Sequence, residues 1–192
     1  MPLNLRPLLI AVLALAALVT AGCGNKQDVH TLGETEGIYV DIADVSYQIQ
    51  MSRILNPNDL EDADFLKGLP PGTTGPGRDE AWFGVFLRAH NGSKKTTHKT
   101  ASSFRIVDTE ENEFEPVVID REENPFAYEP VTLAPQGVYP DPNSVAGQGT
   151  IQGSLVLFKV KLRSLQNRPL EFNVDSPLPP PLRKSAVIDL DV

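Results

Sequence analysis

The sequence contains a single cysteine, Cys23, and only three histidines among its 192 residues. One cysteine cannot form a disulfide bond within the chain, so a secreted form of the protein must be held together by its hydrophobic core. The histidines, His30, His90 and His98, show no H-E-x-x-H spacing, and no G-x-S-x-G motif occurs. Neither a zinc site nor a serine triad therefore has a starting point in the sequence, and we expect no enzymatic activity and no cofactor.

Positive charge is also scarce. The 17 lysines and arginines stand against 25 aspartates and glutamates, which gives a formal net charge of -8. Because the phosphate backbone of a nucleic acid is itself negative, this balance argues against nucleic acid as a partner. The 17 prolines and 14 glycines favour frequent turns over long helices, so the composition excludes an all-helical bundle.

The longest apolar run, residues 8–19, is too short to span a bilayer, since a spanning helix needs about 20 residues. It follows a basic residue and precedes small residues, which is the pattern of a signal peptide. Cys23 comes directly after Thr20-Ala21-Gly22, and this arrangement resembles the lipobox of bacterial lipoproteins. The resemblance implies that residues 1–22 are removed and that the Cys23 sulfur carries lipid, although the family prefers leucine where this chain has Thr20.

Lipid on Cys23 places the protein on the outer face of the cell membrane. Stable anchoring takes at least two acyl chains, and a diacylglyceryl thioether supplies two. Loss of residues 1–22 removes Arg6 but no acidic residue, so the formal charge becomes -9. Anionic lipids repel such a chain, and we therefore expect the lipid rather than a basic patch to hold it. The alternative is a plain secretory signal cleaved near Ala21, with Cys23 a passive residue.

The segment after the cysteine differs in character from the rest of the chain. Residues 24–35 are polar, contain two glycines and show no apolar period, which is typical of a flexible spacer. The sequence therefore predicts a signal peptide over residues 1–22, a lipid-anchored tether over residues 23–35 and one folded domain over residues 36–192.

Alternation of apolar and polar residues dominates this domain and predicts short β-strands. The apolar positions of residues 38–42 have one parity and those of residues 45–51 have the opposite parity, so we expect a β-bulge or a crossing between sheets near Ala43-Asp44. Residues 81–91 are apolar on both faces, as in a central strand. The only helical candidate is residues 59–66. The pattern predicts an all-β antiparallel sandwich of about seven to nine strands.

Several segments between residues 81 and 160 occur in a familiar order. They are the strand 82–91 with its Asn-Gly-Ser turn, residues 104–108 followed by 113–116, the turn 133–137, and the strand 152–160. In these segments the chain resembles the telokin-like, immunoglobulin-fold domain of unknown function that is common in lipoproteins and secreted proteins of Gram-positive bacteria. The resemblance implies an immunoglobulin-like sandwich in an extracytoplasmic location, and it transfers no catalytic residue. Segments 53–80 and 138–151 depart from the family pattern.

Residues 93–100 form the one basic cluster of this acidic chain. Lys94, Lys95, His98 and Lys99 can bind phosphate or carboxylate groups of an envelope polymer, or lipid headgroups. The alternative is a solvated loop that joins two strands. These four residues are the candidate partner-binding loop.

Four acidic residues also lie close together, but they lack the spacing of an EF-hand: Asp59, Glu61, Asp62 and Asp64. We interpret them as a solvated acidic turn, with a calcium site as the alternative. We predict no metal site.

Two hypotheses of function follow. The first is a non-catalytic, lipid-anchored extracytoplasmic domain that presents loops 93–100 and 138–151 to an envelope protein or an anionic polymer. The second is an anchored receptor for a small solute or ion, with a pocket lined by Trp82, Phe126, Tyr128 and Tyr139. No motif supports a hydrolase.

The anchor hypothesis predicts the behaviour of Cys23→Ser. Without the sulfur that carries the lipid, we expect the protein to leave the membrane fraction and to appear in the soluble fraction, because the acidic chain has no other strong affinity for anionic lipids. Fractionation of cells followed by detection of the protein measures this. A Cys23→Ser protein that stays in the membrane fraction would contradict the anchor, and Ser93→Ala serves as the matched control.

Overall fold

The computed structural model describes residues 30–192, so the predicted signal peptide, Cys23 and the first part of the predicted tether lie outside the described residues. Two β-sheets face each other across the main hydrophobic core, and β5 and β9 pair as a separate two-stranded sheet. Within this part of the chain, no helix is both long enough and apolar enough to cross a bilayer.

The described residues form thirteen strands and two short α-helices. The strands are β1 (Leu32–Gly33), β2 (Tyr39–Ile42), β3 (Val45–Leu55), β4 (Glu80–Asn91), β5 (His98–Lys99), β6 (Ser103–Val107), β7 (Glu113–Phe114), β8 (Pro116–Val117), β9 (Thr132–Leu133), β10 (Val138–Tyr139), β11 (Ser154–Lys161), β12 (Leu170–Asp175) and β13 (Ser185–Leu190). The helices are α1 (Leu60–Phe65) and α2 (Val145–Gln148), and a 3-10 turn covers Ser164–Gln166.

The prediction of an all-β, immunoglobulin-like antiparallel β-sandwich is confirmed. One sheet has the order β1-β13-β12-β6-β7 and the other has the order β2-β3-β4-β11-β8, with β10 added beside β4. Six of the thirteen strands have only two residues. A strand of this length is too short to be recognised from the alternation of apolar and polar residues. The other seven strands are longer, and their number agrees with the predicted seven to nine.

Strand β4 lies at the centre of the larger sheet and is buried on both faces, as predicted. Phe83, Val85 and Leu87 point into the main core between the two sheets. Trp82 and Phe86 point to the outer side and belong to a second, smaller core. Both faces of this strand must therefore be covered by other parts of the chain.

The connection between β2 and β3 differs from the prediction. Ala43 and Asp44 both have positive φ, at 50° and 68°, and they join the two strands directly as a hairpin. This is the geometry of a two-residue type I′ turn, which reverses the chain and so reverses the apolar parity. A bulge does occur, but further along, between Ile49 and Met51. It turns Met51, predicted to share a face with Ile49, onto the outer side of the sheet.

The predicted tether is also too long at its C-terminal end. Leu32–Gly33 forms β1, which runs parallel to β13 and pairs with Val187 and Ile188. Gly33 is buried and closely packed, since a Cβ atom would lie 3.3 Å from side-chain atoms of Ile188 and Val40 and would require them to shift. Residues 30–35 therefore belong to the folded domain. The sequence gives no sign of β1, because a strand of two residues shows no alternation.

The strand directions define two ends of the sandwich. The described chain starts at one end, where the His30 carbonyl group accepts a hydrogen bond of 2.6 Å from the Asp41 N–H group. We call this the tether end; it also holds the turn Ala43-Asp44 and the loops 91–99 and 176–184. Strand β3 runs from there to the distal end, and its 11 residues span about 33 Å.

The turn between β6 and β7 lies at the distal end and is organised by Asp108. Its buried carboxylate group accepts hydrogen bonds from the backbone N–H groups of Glu110 and Asn112, both at 2.9 Å, and from the side-chain amide of Asn167 at 3.1 Å. Burial raises the pKa of Asp108, but the hydrogen bonds that it accepts together outweigh burial and hold that pKa well below its usual range.

The depressed pKa predicts how Asp108→Asn changes the free energy of unfolding. At pH 7 we expect a loss of about 2 kcal/mol, because the charged acceptor of several hydrogen bonds is removed. A lowered pKa in the folded state stabilises the protein above the unfolded value of about 4, and this contribution is lost as the pH falls from there towards the folded value. The gap between the wild type and the variant should therefore narrow below pH 4.

Urea unfolding between neutral and strongly acidic pH measures both effects. Glu110→Gln is the matched control, since Glu110 is an exposed acidic residue of the same turn. A gap that stays constant over the whole pH range would show that the charge of Asp108 does not stabilise the turn.

Candidate functional site

The outer face of the larger sheet carries the second hydrophobic core. Leu55 from β3 and Leu155 from β11 pack there over Gly84, where a Cβ atom would come within 2.9 Å of Leu155 and 3.1 Å of Leu55. Three segments cover these side chains, and they contribute Phe65, Leu66, Leu69, Val117, Ile119, Phe126 and Ile151. Segment 53–80, which departs from the pattern of the telokin-like family, thus helps to cover the outer face of β4.

The cover leaves a cleft of about 590 Å³ between α1 and residues 149–151. Its apolar wall consists of Met51, Phe65, Phe126 and Ile151, and its other lining residues include four acidic residues and one basic residue, Arg53. The rings of Phe65 and Phe126 meet edge to face with centroids 4.8 Å apart. Met51 is 40% exposed, so this apolar wall is open to solvent.

An ion pair fixes α1 at the edge of the cleft. Asp62 is buried and forms a two-pronged contact with the Arg53 guanidinium group, in which Nη1 donates to Oδ2 at 3.2 Å and Nη2 donates to Oδ1. The Asn56 N–H group donates to the same carboxylate at 2.7 Å. Arg53 and Asp62 therefore neutralise each other and leave the charge of the cleft to other residues.

The remaining carboxylate groups of this segment are exposed at the rim of the cleft. Asp59 caps α1 by accepting from the Glu61 N–H group at 2.9 Å, and Asp64 lies 2.6 Å from the Lys67 ammonium group. Within residues 30–192, no three His, Cys, Asp or Glu side chains come together in a way that could hold a metal ion. Asp59 and Glu61 give the cleft an acidic edge, and Asp64 adds a carboxylate group that is paired with Lys67.

The predicted basic loop has a fixed backbone. The side chain of the buried Asn91 donates to the carbonyl groups of Thr96, Leu133 and Ala134 at 2.8, 3.2 and 2.9 Å. Its Oδ1 atom accepts from the Ser93 N–H group at 2.9 Å. One buried amide thus holds loop 91–99 against the turn that follows β9.

The structure brings the four candidate residues together on this loop. Lys94, Lys95 and Lys99 are exposed, and in the described part of the chain no carboxylate group lies within 4.0 Å of their ammonium groups. His98 is half-buried, and its Nε2 atom lies 3.0 Å from the Thr96 hydroxyl group and 4.0 Å from Asp44. The loop lies at the tether end, whereas the cleft lies on the distal half of β3.

The four aromatic residues proposed for a solute pocket are not brought together. Trp82 and Phe126 belong to the second core, whereas Tyr128 and Tyr139 pack against the main core with ring centroids 5.4 Å apart. The Tyr128 hydroxyl group donates to the Ala101 carbonyl group at 2.8 Å, and burial raises the pKa of Tyr128 well above its usual value. Of these four residues, only Phe126 lines the cleft.

Sequence reasoning missed the apolar wall of the cleft. Phe65 and Leu66 stand at the end of an acidic segment, and their apolar character is a signal that α1 packs against something. The partners of these side chains come from distant segments, around residues 126 and 151. Neither segment shows a pattern that points to the other.

Comparison with known proteins identifies similar folds but no relative. No protein-family model and no curated protein matches the chain. The crystal structure of the yjhA protein of Bacillus subtilis matches with a TM-score of 0.52 at 10% identity, over 82% of this chain and 99% of that one. This likeness shows a shared fold.

Two further structures match less closely. The ycdA protein of Bacillus subtilis, described as a candidate lipoprotein, has a TM-score of 0.40 at 11% identity, over 78% of this chain and 38% of that one. An uncharacterised β-sandwich protein of Clostridium difficile has a TM-score of 0.41 at 8% identity, over 86% of this chain and 98% of that one. None of these comparisons singles out the telokin-like family.

The hydrogen bonds of Asn91 predict the effect of Asn91→Ala. We expect a loss of about 3 kcal/mol in the free energy of unfolding, because the substitution leaves buried carbonyl groups without a donor. We also expect faster hydrogen exchange at the amides of Ser93 and Thr96, since the loop loses its attachment. Chemical denaturation and exchange mass spectrometry measure the two effects.

Asn143→Ala is the matched control, because the Asn143 side chain is exposed and only its backbone N–H group takes part in a hydrogen bond. Unchanged exchange in loop 91–99 of Asn91→Ala would show that the loop is held by something else.

Proposed function

We propose that the protein is a non-catalytic, lipid-anchored extracytoplasmic domain that binds an envelope protein or polymer in the cleft beside α1. The observation that carries the proposal is the open apolar wall of the cleft beside an acidic rim. An apolar surface next to carboxylate groups complements a partner that carries both apolar and cationic groups.

The cleft combines a rigid frame with accessible contact surface. The Arg53–Asp62 pair and the Phe65–Phe126 contact fix the position of α1, so binding does not require ordering of the cleft walls. Met51 adds a flexible apolar side chain that adapts to the shape of a partner. Asp59 and Glu61 supply negative charge at the entrance, where it accelerates encounter with a cationic partner.

The location of the cleft agrees with an anchored protein. It lies on the half of β3 that is remote from His30, where the described chain begins. A partner in the envelope therefore reaches the cleft without approaching the lipid. The chemistry of the cleft also supports a role without catalysis, because Asp62 and Arg53 neutralise each other and Asp59 caps a helix.

The volume of the cleft favours a second candidate, an anchored receptor for a small solute. Sites for small molecules occupy about 300–1,000 Å³, and this cleft falls within that range. The acidic rim makes a small organic cation the solute class to test first. Because Trp82 packs in the same outer core as Phe126, a change in tryptophan fluorescence upon titration with a panel of amines would support this candidate.

Photo-crosslinking in intact cells tests the binding site. A photo-reactive amino acid introduced at Met51 should give discrete adducts with envelope molecules, because this side chain lies in the open cleft. The triple variant Asp59→Asn, Glu61→Gln, Asp64→Asn should reduce adduct formation about tenfold, which corresponds to a loss of about 1.4 kcal/mol of attraction. Mass spectrometry identifies and quantifies the adducts.

Two matched controls accompany this experiment. The same amino acid at Val118, an exposed apolar position outside the cleft, should give no such adducts. The triple variant Glu110→Gln, Glu113→Gln, Glu115→Gln removes the same charge elsewhere and should leave the adducts at Met51 unchanged. Adducts that are equally frequent at both positions, or insensitive to the rim charges, would rule out the cleft as the binding site.

A further inference from the structure

At the tether end, the start of the described chain lies close to a loop that carries exposed lysines. His30 bonds to Asp41, and the Asp44 carbonyl group, in the turn that follows, accepts from the Gly92 N–H group at 3.2 Å. Loop 91–99, with its three exposed lysines, therefore lies beside the point where the tether enters the domain. The Gln136 side chain, bonded to the Ser93 carbonyl group at 3.1 Å, adds a further turn to this end.

A second basic loop lies at the same end. Strand β12 finishes there at Asp175, and β13 starts there at Ser185, so the connection 176–184 projects from the tether end. It carries Arg183 and Lys184, both exposed. It also carries two exposed apolar side chains, Leu178 and Leu182, of which Leu182 is 65% exposed.

The acidic groups of this end are fewer, and two of them are engaged. Asp175 is buried and accepts from the Ser185 hydroxyl group, and Asp41 accepts from the Ser46 hydroxyl group, both at 2.5 Å. Asp44 faces His98. The five exposed cations of the two loops give the tether end a positive surface, although the mature chain as a whole has a charge of -9.

The length of the tether limits how far this surface can lie from the lipid. Six residues lie between Cys23 and His30, and the seven steps from one to the other span roughly 25 Å in a fully extended chain. A lipid on Cys23 therefore keeps the tether end near the headgroups. The distal end lies about 33 Å further away, by the length of β3.

We propose that the tether end docks on anionic lipid headgroups of the leaflet that holds the anchor, with Leu178 and Leu182 entering the interface. The inference rests on the lipid anchor of the proposed function. Lysines and arginines near an anionic leaflet add to the affinity given by acyl chains, and exposed leucines beside them insert at the level of the headgroups. An anionic polymer would attract the same lysines but would offer no apolar phase to the leucines.

Docking gives the domain a fixed orientation, with the cleft directed away from the membrane. This departs from the expectation that lipid alone holds an acidic chain at the surface, because the positive end would add to the attachment that the lipid provides. The net charge is negative, but its distribution is uneven, and the positive end faces the leaflet. Salt at high concentration weakens the docking because it screens the charges, whereas the lipid anchor is unaffected.

Depth-dependent fluorescence quenching tests the proposal on the full-length lipidated protein. A fluorophore on Leu182→Cys is read in vesicles of phosphatidylcholine with or without phosphatidylglycerol, both containing a lipid that carries a nitroxide at its headgroup. We expect strong quenching only in vesicles with phosphatidylglycerol. Adding Lys94→Gln, Lys95→Gln and Lys99→Gln should weaken docking roughly 100-fold, at about fivefold for each cation near the surface.

The controls separate docking from anchoring and from folding. A fluorophore on Glu110→Cys, at the distal end, should remain unquenched in both kinds of vesicle. The variant Lys161→Gln, Arg163→Gln, Arg168→Gln removes three exposed cations elsewhere and should leave the quenching at position 182 unchanged. The emission of the buried Trp82 reports that each variant is folded.

Three outcomes would overturn the proposal. If the protein floats with the vesicles but the label at position 182 stays unquenched, docking is wrong and the anchor stands. If the protein does not float with the vesicles, the lipid anchor of the proposed function is wrong, and the docking proposal that rests on it is wrong as well. If the label stays unquenched while polyphosphate protects Lys94 and Lys95 from acetylation, the loop binds an anionic polymer rather than lipid.

Discussion

Burial of β4 on both faces is the constraint on which the rest of this structure depends. Its inner side chains require the facing sheet, and its outer side chains, Trp82 and Phe86, require a second cover that a simple two-layer sandwich does not supply. The chain meets this requirement with segment 53–80 and with residues around 117–126 and 149–151. The cleft arises because this cover is assembled from separate pieces that do not close completely over the sheet.

The sequence predicts the longer strands well because alternation over five or more residues is a pattern that helices and loops rarely produce. Residues 81–91, for example, are apolar on both faces in the sequence, and the strand that they form, β4, is buried on both faces. The two-residue strands carry no periodic signal, which is why β1 looks like spacer. The prediction at Ala43-Asp44 is wrong because a change of parity has the same appearance in a bulge and in a hairpin whose turn consists of two residues.

Of the two candidate binding surfaces, one could be predicted from the sequence and the other could not. Loop 93–100 could be recognised from sequence because its lysines are adjacent in the chain, and local composition is enough to locate them. The cleft could not, because its wall joins Met51, Phe65, Phe126 and Ile151 from four separate segments. Nor does a sum of charges reveal polarity along the molecule, which depends on which loops meet at each end of the strands. Both kinds of information require the topology.

The placement of β1 has a mechanical consequence. An anchor at the base and a partner held near the far end would pull the first strand along its own axis, against the neighbouring β13 that runs in the same direction. The hydrogen bond from Val187 to the Thr31 carbonyl group and its neighbours in this ladder would then be sheared together instead of being peeled apart one at a time. A strand of only two residues can thus resist force along its own axis, and yield easily when it is lifted sideways from the sheet.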